Sequence, residues 1–222
     1  MPVSAALSPS PSLEAEAARY ALLRRLAPSM RHHLVVNLQP IGMIYEVMDR
    51  RLRAPVPDLA NVQDSASKIN GFAKAALHSC LDMVSWLAPD DAVTVEVPDA
   101  VRECTGLLAT SLSFRGYALR NEVEPLPGVV RRPAMRILLA ATLIHLTDDR
   151  PAPADLVLRA AAEEAGALVT VTVRPTQGGK GIPAEQGYRK LTWQDVQALA
   201  EAEGVQVERE GEQLSLRFPW AS

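Results

Sequence analysis

The chain has little cysteine: two in 222 residues, Cys80 and Cys104. Set in apolar-periodic segments, they give neither a disulfide framework nor metal-ligand spacing. Both are expected as small core residues, and no metal site is expected. Positive charge is not in excess either. Lys and Arg number 23 against 26 Asp and Glu, a formal charge of −3, which excludes broad attraction to nucleic acid or acidic membranes. No apolar run approaches the roughly 20 residues of a membrane span. The first dozen residues, rich in Ser, Pro and Ala, lack the basic start and long apolar segment of a secretory signal. Internal repeats are absent. These absences predict a soluble, cytoplasmic chain with no nucleic-acid or membrane partner. At 48% apolar it has enough for a core, and its length suits one large or two small domains.

The most informative stretch is Met30-Arg31-His32-His33-Leu34-Val35-Val36-Asn37-Leu38-Gln39-Pro40-Ile41. Apolar residues recur at Met30, Leu34, Leu38, Ile41, Tyr45 and Met48, one stripe of a helix with a period near 3.6. His32 falls off that stripe, so burying the stripe leaves its imidazole facing water. Such a ring has a neutral nitrogen available near neutral pH and can attack a phosphoryl group. The same pattern is also that of a passive surface histidine, or of a His-His pair holding an adventitious metal.

The pattern predicts one long helix from Leu13 to about Arg53, with Glu14 and Glu16 at its start and Arg50, Arg51 and Arg53 at its end, an order that suits the helix dipole. Pro28 and Pro40 are expected to kink or interrupt it. After the rigid turn Ala54-Pro55-Val56-Pro57-Asp58, a second helix is expected from about Leu59 to Leu87, with Ile69, Phe72, Ala73, Ala76, Cys80, Met83 and Leu87 on one face. Such an antiparallel hairpin exposes half of its apolar surface. A second copy would cover it and give a four-helix bundle across a two-fold axis.

Beyond Ala88-Pro89-Asp90-Asp91 the texture changes. Strands are expected at 93–97, 118–123, 155–162, 167–174, 205–208 and 213–218, and helices at 100–114, 134–146 and 192–203. Thr192 would cap the last helix and Gly204 end it. The mixture is an α+β sandwich, one sheet covered by helices. The expected domains are a disordered tail over 1–14, the helical hairpin over 15–88 and the sandwich over 89–222.

This order resembles the bacterial sensor histidine kinase core. The stretch from His32 is similar to the H box in its form His-x-x-x-Asn-Asn-Leu-Gln-x-Ile, with His32 in the phosphoacceptor place and Asn37, Leu38, Gln39 and Ile41 in step. Phe114-Arg115-Gly116-Tyr117-Ala118-Leu119 resembles a strand entry of the ATP-binding domain, and the helix through Arg136–His145 resembles the one bearing the N box. The ATP determinants depart from the pattern. His145 stands where the family has a Mg²⁺-binding Asn, and an imidazole is a poor ligand for a hard cation. The first glycine box reads Gln177-Gly178-Gly179-Lys180-Gly181-Ile182, keeping Gly179 and Gly181 but replacing the adenine-reading carboxylate with Gln177. The second falls on Lys190-Leu191-Thr192-Trp193, with both glycines gone. Read alone, Gly178-Gly179-Lys180-Gly181 is a turn, since a Walker loop needs Ser or Thr after its Lys.

The acid that follows the kinase histidine is here His33. A kinase-like dimer with a decayed ATP site resembles the dimeric histidine phosphotransferases of phosphorelays. That resemblance implies a homodimer with no cofactor of its own. His32 would exchange phosphate with response-regulator receiver domains, which bring the aspartate and Mg²⁺. The expected docking residues are Arg31, His33, Val36 and Gln39. The alternatives are a pseudokinase-like dimer that docks partners without phosphoryl chemistry, and a divergent active kinase.

Overall fold

The computed structural model describes residues 12–178, 181 and 189–221. The chain forms two compact units, and the division falls inside the first helix. Residues up to Arg25 group with Asp91–Ser222, and Leu26–Asp90 form the other unit.

Helix α1 (Leu13–Leu52) runs its 40 residues through both Pro28 and Pro40. The expected interruption does not occur: each proline removes one rung of a long ladder, and the neighbouring turns hold. Around Pro28 those turns carry the buried Leu26, Ser29 and Met30. Helix α2 (Leu59–Leu87) starts at Asp58, whose carboxylate accepts from the N–H groups of Ala60 and Asn61. These bonds hold the Asp58 carboxyl below its usual range.

In the Leu26–Asp90 unit, the covered seam of α2 runs Ser65, Ile69, Phe72, Ala76, Ser79, Met83, Trp86, alternating steps of four and three. The α1 seam is Met30, His33, Asn37, Pro40 and Ile44. Five of the thirteen expected stripe residues are uncovered. Leu38 and Tyr45 are 50% and 56% exposed, and Ala73, Cys80 and Leu87 face outward. Cys80 is therefore a surface residue, contrary to expectation, whereas Cys104 is buried. One hairpin has a single seam, and Cys80 lies one residue off it.

The other unit is a sheet covered on one face by helices. Strands β2 (Tyr117–Asn121), β4 (Ala154–Glu163), β5 (Gly166–Pro175), β7 (Gln213–Pro219) and β6 (Gln206–Glu210) lie side by side in that order; β2 and β4 are parallel and the rest antiparallel. Their alternation puts Leu156 and Leu158, Val169 and Val171, and Leu214 and Leu216 in the core. Helices α3 (Val97–Phe114), α4 (Arg132–Asp149) and α5 (Trp193–Glu203) complete it. Every residue of α4 from Pro133 to Thr147 is buried, as befits a helix apolar on nearly all sides. The α+β class and the hairpin-then-sandwich order are as the sequence predicts.

Three local expectations change. The strand expected at 93–97 shrinks to β1 (Thr94–Val95), because Pro98 takes the first turn of α3 and starts that helix early. Its partner β3 (Val130–Arg131) was not foreseen. Helix α4 extends beyond its apolar run to the acidic pair Asp148 and Asp149.

The β4–β5 hairpin turns on Gly166, where a Cβ would lie 2.1 Å from the Phe218 carbonyl oxygen. Gly166→Ala is expected to force β5 and β7 apart and cost about 1–3 kcal/mol, read as a lower urea midpoint.

Candidate functional site

The hairpin has two unlike sides. Successive helical residues turn by about 100°, and in an antiparallel pair the residue after each seam position points to the same side from both helices. After the seam come Leu38 and Tyr45 on α1, and Leu77, Cys80, Val84 and Leu87 on α2, all exposed. That side is apolar. Before the seam come His32, Val36, Gln39 and Met43 on α1 and His78 on α2, also exposed. His32 thus stands opposite the uncovered apolar side.

Of the expected docking residues, Val36 and Gln39 share the His32 side. His33 is half-buried in the seam, and Arg31 is exposed across from it. The His32 and His33 rings lie 6.2 Å apart, edge to face. Met43, 62% exposed, and His78 extend the His32 side and were missed. Their signal was the step-before-seam position, legible only once the seam is known.

In the sandwich, His145 is 3% exposed. Its Nδ1 lies 2.8 Å from the Leu191 carbonyl oxygen. A carbonyl only accepts, so Nδ1 carries the proton and Nε2 accepts from Arg209 Nη1 at 3.5 Å. Arg209 also donates to Asp149 at 2.5 Å, a bond that holds the Asp149 carboxyl below its usual range. Both ring nitrogens of His145 are engaged by the protein.

One turn on, the Asp148 carboxylate collects four bonds. Arg25 donates twice, at 2.6 and 2.8 Å. Arg115 donates at 3.2 Å and the Leu191 N–H at 3.1 Å. The same Arg115 also donates to the Thr147 hydroxyl and carbonyl. Burial draws its guanidinium below the usual range, and Asp148 opposes that shift. Arg25 also reaches the Arg189 carbonyl, at 3.3 Å. The segment 189–191 is thereby tied down on the end of α4.

The positions matched to the second glycine box have other work. Thr192 and Asp195 form a capping box for α5, and Arg189 donates twice to Asp195 at 2.8 Å. Lys190 is exposed. The N–H groups of Leu191 and Thr192, which a phosphate would need, go to Asp148 and Asp195. Gln177 is exposed. Gly181 sits against the Arg115–Gly116 backbone, where a Cβ would come within 2.1 Å of the Arg115 carbonyl carbon. Close packing alone explains that glycine. Gly179 lies outside the described residues.

Asp148 and Arg25 were missed as partners. Their signal was a charge within each apolar face: Arg25 beside Ala21, Leu22 and Leu26, and Asp148 closing the apolar run of α4. Among the described residues no group of acids, histidines and cysteines could hold a metal, and no helix is long and apolar enough to cross a membrane.

No family description and no curated protein sequence matches the chain. Solved structures do resemble it. A bacterial phosphotransferase is 15% identical, with 96% of this chain and 98% of that one covered and a TM-score of 0.42. The Acinetobacter baumannii histidine kinase AdeS is 9% identical over 86% of this chain and 98% of its own, at 0.44. The ATP-binding domain of PrrB from Mycobacterium tuberculosis is 19% identical over 60% of this chain and all (100%) of its own, at 0.44. At such identities and scores no residue's role is carried over.

The Arg25–Asp148 pair is 9% and 3% exposed at its side chains. Asp148→Ala is expected to lose about 3–5 kcal/mol, because it leaves the buried Arg25 guanidinium without its carboxylate, and Arg25→Ala is expected to lose less, because Asp148 keeps Arg115 and the Leu191 N–H. The double variant should lose less than the sum. Urea unfolding of the three variants checks this.

Proposed function

We propose that the chain is a homodimeric histidine phosphotransfer protein of a two-component phosphorelay, with His32 as phosphoacceptor. The observation that carries this reading is the placement of the exposed His32 on the side of the hairpin opposite the uncovered side of Leu38, Tyr45, Leu77 and Val84. A second copy on the apolar side leaves both imidazoles open to solvent. A receiver domain docks over Val36 and Gln39, with His33 at the border of that face; Arg31, which follows the seam residue Met30, lies on the opposite side. A neutral ring nitrogen of His32 attacks the phosphorus of the receiver's aspartyl phosphate. The P–N bond forms as the P–O bond breaks, the aspartate leaves as a carboxylate, and the proton on the other ring nitrogen passes to solvent. Return to a second receiver reverses these steps. The receiver supplies Mg²⁺, so this protein needs no cofactor of its own.

What supports a non-kinase role is the engagement of the nucleotide-type positions by the protein itself. His145 is bonded through both nitrogens, and the N–H groups of Leu191 and Thr192 are bonded to carboxylates. Such groups would have to give up bonds before meeting a phosphate.

Incubation with labelled phosphorylated receiver is expected to label the wild-type protein, while γ-labelled Mg-ATP leaves it unlabelled. His32→Ala should lose the label with its fold intact, since the change removes an exposed side chain and adds a good helix former. His33→Ala should keep it. Full labelling of His32→Ala would sink the assignment, and labelling by ATP would return the chain to the kinases.

The dimer has its own test. Covering Leu38, Tyr45, Leu77 and Val84 contributes about 1.5–3 kcal/mol for each side chain fully buried. Light scattering should report a dimer at micromolar concentration, and Leu38→Glu with Leu77→Glu should report a monomer.

A further inference from the structure

A polar chain crosses the seam between α1 and α2. Asn37 Nδ2 donates to the Ser79 hydroxyl at 3.1 Å and to the His33 carbonyl oxygen at 3.1 Å. The Ser79 hydroxyl in turn donates to the Ala75 carbonyl oxygen at 3.0 Å. The chain thus ends on the backbone of both helices, one turn back along each.

Its neighbours in the seam are Met30, His33, Pro40 and Ile44 on α1 and Phe72, Ala76, Met83 and Trp86 on α2. Apolar packing accepts a change of partner of similar volume at small cost, so it specifies register less sharply than a directional bond does. A slip along the helix axis, or a turn of α1 by one residue, breaks the bond to the Ser79 hydroxyl, the bond of the chain that passes between the helices, and leaves the Asn37 amide only the His33 carbonyl of its own helix. A turn by one residue would also carry His32 toward the seam.

We propose that Asn37 and Ser79 are a positioning pair. They fix the register and rotation of α1 against α2, and so the face on which His32 stands. The geometric part concerns the hairpin alone; its catalytic consequence rests on the phosphotransfer reading. A single polar pair specifying register in an apolar seam is a known device of paired helices. Asn37 touches no reacting atom, and its effect reaches the imidazole through the helix.

The test measures the two histidines directly. Diethyl pyrocarbonate modifies accessible neutral imidazoles, and tandem mass spectrometry separates His32 from His33. In the wild-type protein His32 should react several-fold faster than His33. In the apolar variant Asn37→Leu with Ser79→Ala, the ratio should fall toward one while the midpoint of thermal unfolding holds or rises. The transfer rate from a phosphorylated receiver should drop on the order of tenfold, because a displaced nucleophile loses its line of attack. The swapped pair Asn37→Ser with Ser79→Asn should restore both the ratio and the rate. If the apolar variant does not fold, Ser79→Ala alone, which removes one hydroxyl, gives the same comparison. An unchanged reactivity ratio in the folded apolar variant, or in Ser79→Ala, overturns the proposal. If the ratio collapses but the wild-type protein never accepts phosphate, the positioning pair stands and the phosphotransfer reading falls.

Discussion

A buried carboxylate with four donors organises the sandwich. Asp148 stands at the end of α4, and the groups that reach it come from three distant parts of the chain: Arg25 from α1, Arg115 from the entry to β2, and the Leu191 N–H ahead of α5. Burying an ionised carboxylate is costly unless its oxygens are filled, and here each oxygen takes two bonds. Withdrawing one element removes part of the matched set: without Arg25, Asp148 keeps only Arg115 and the Leu191 N–H. The first turns of α1 are held a second time by Arg19, which pairs with the buried Glu203 at the end of α5.

The hairpin relies on a different constraint, the geometry of a single seam. With about 3.6 residues per turn, the positions after the seam and those before it become two separate surfaces. Leu38, Tyr45, Leu77 and Val84 go to one, and His32, Val36 and Gln39 to the other. The chemistry proposed for His32 needs no unusual environment, only a helix whose rotation keeps one face dry and the other wet.

Most elements were legible because their signals are local. The long amphipathic runs of α1 and α2, the alternation of β5 and β7, and the Thr192 and Gly204 caps of α5 all depend on near neighbours in sequence. What was not legible depends on distant partners. Cys80 reads as core by spacing, yet which face of α2 is covered depends on where α1 lies. Pro28 and Pro40 read as kinks or interruptions, and α1 continues uninterrupted past both. Strand β3 is two residues long and exists through its pairing with β1. At the candidate site, His32 could be named from its phase on the helix. The engagement of His145 by Leu191 and Arg209 joins residues 46 and 64 positions away, and no motif announces it. Gly181 looked like a surviving phosphate-loop glycine, but its constraint is the nearby Arg115–Gly116 backbone.

Because α1 passes from one compact unit to the other without a break, the two have no linker between them at that end. Gene dissection at residue 90, the natural cut by texture, would strip the sandwich of Arg19 and Arg25 along with the apolar residues Ala15, Ala18 and Leu22. The fragment would carry a bare apolar strip and two carboxylates, Asp148 and Glu203, short of partners. The hairpin half would gain an overhanging helix start with nothing to rest on.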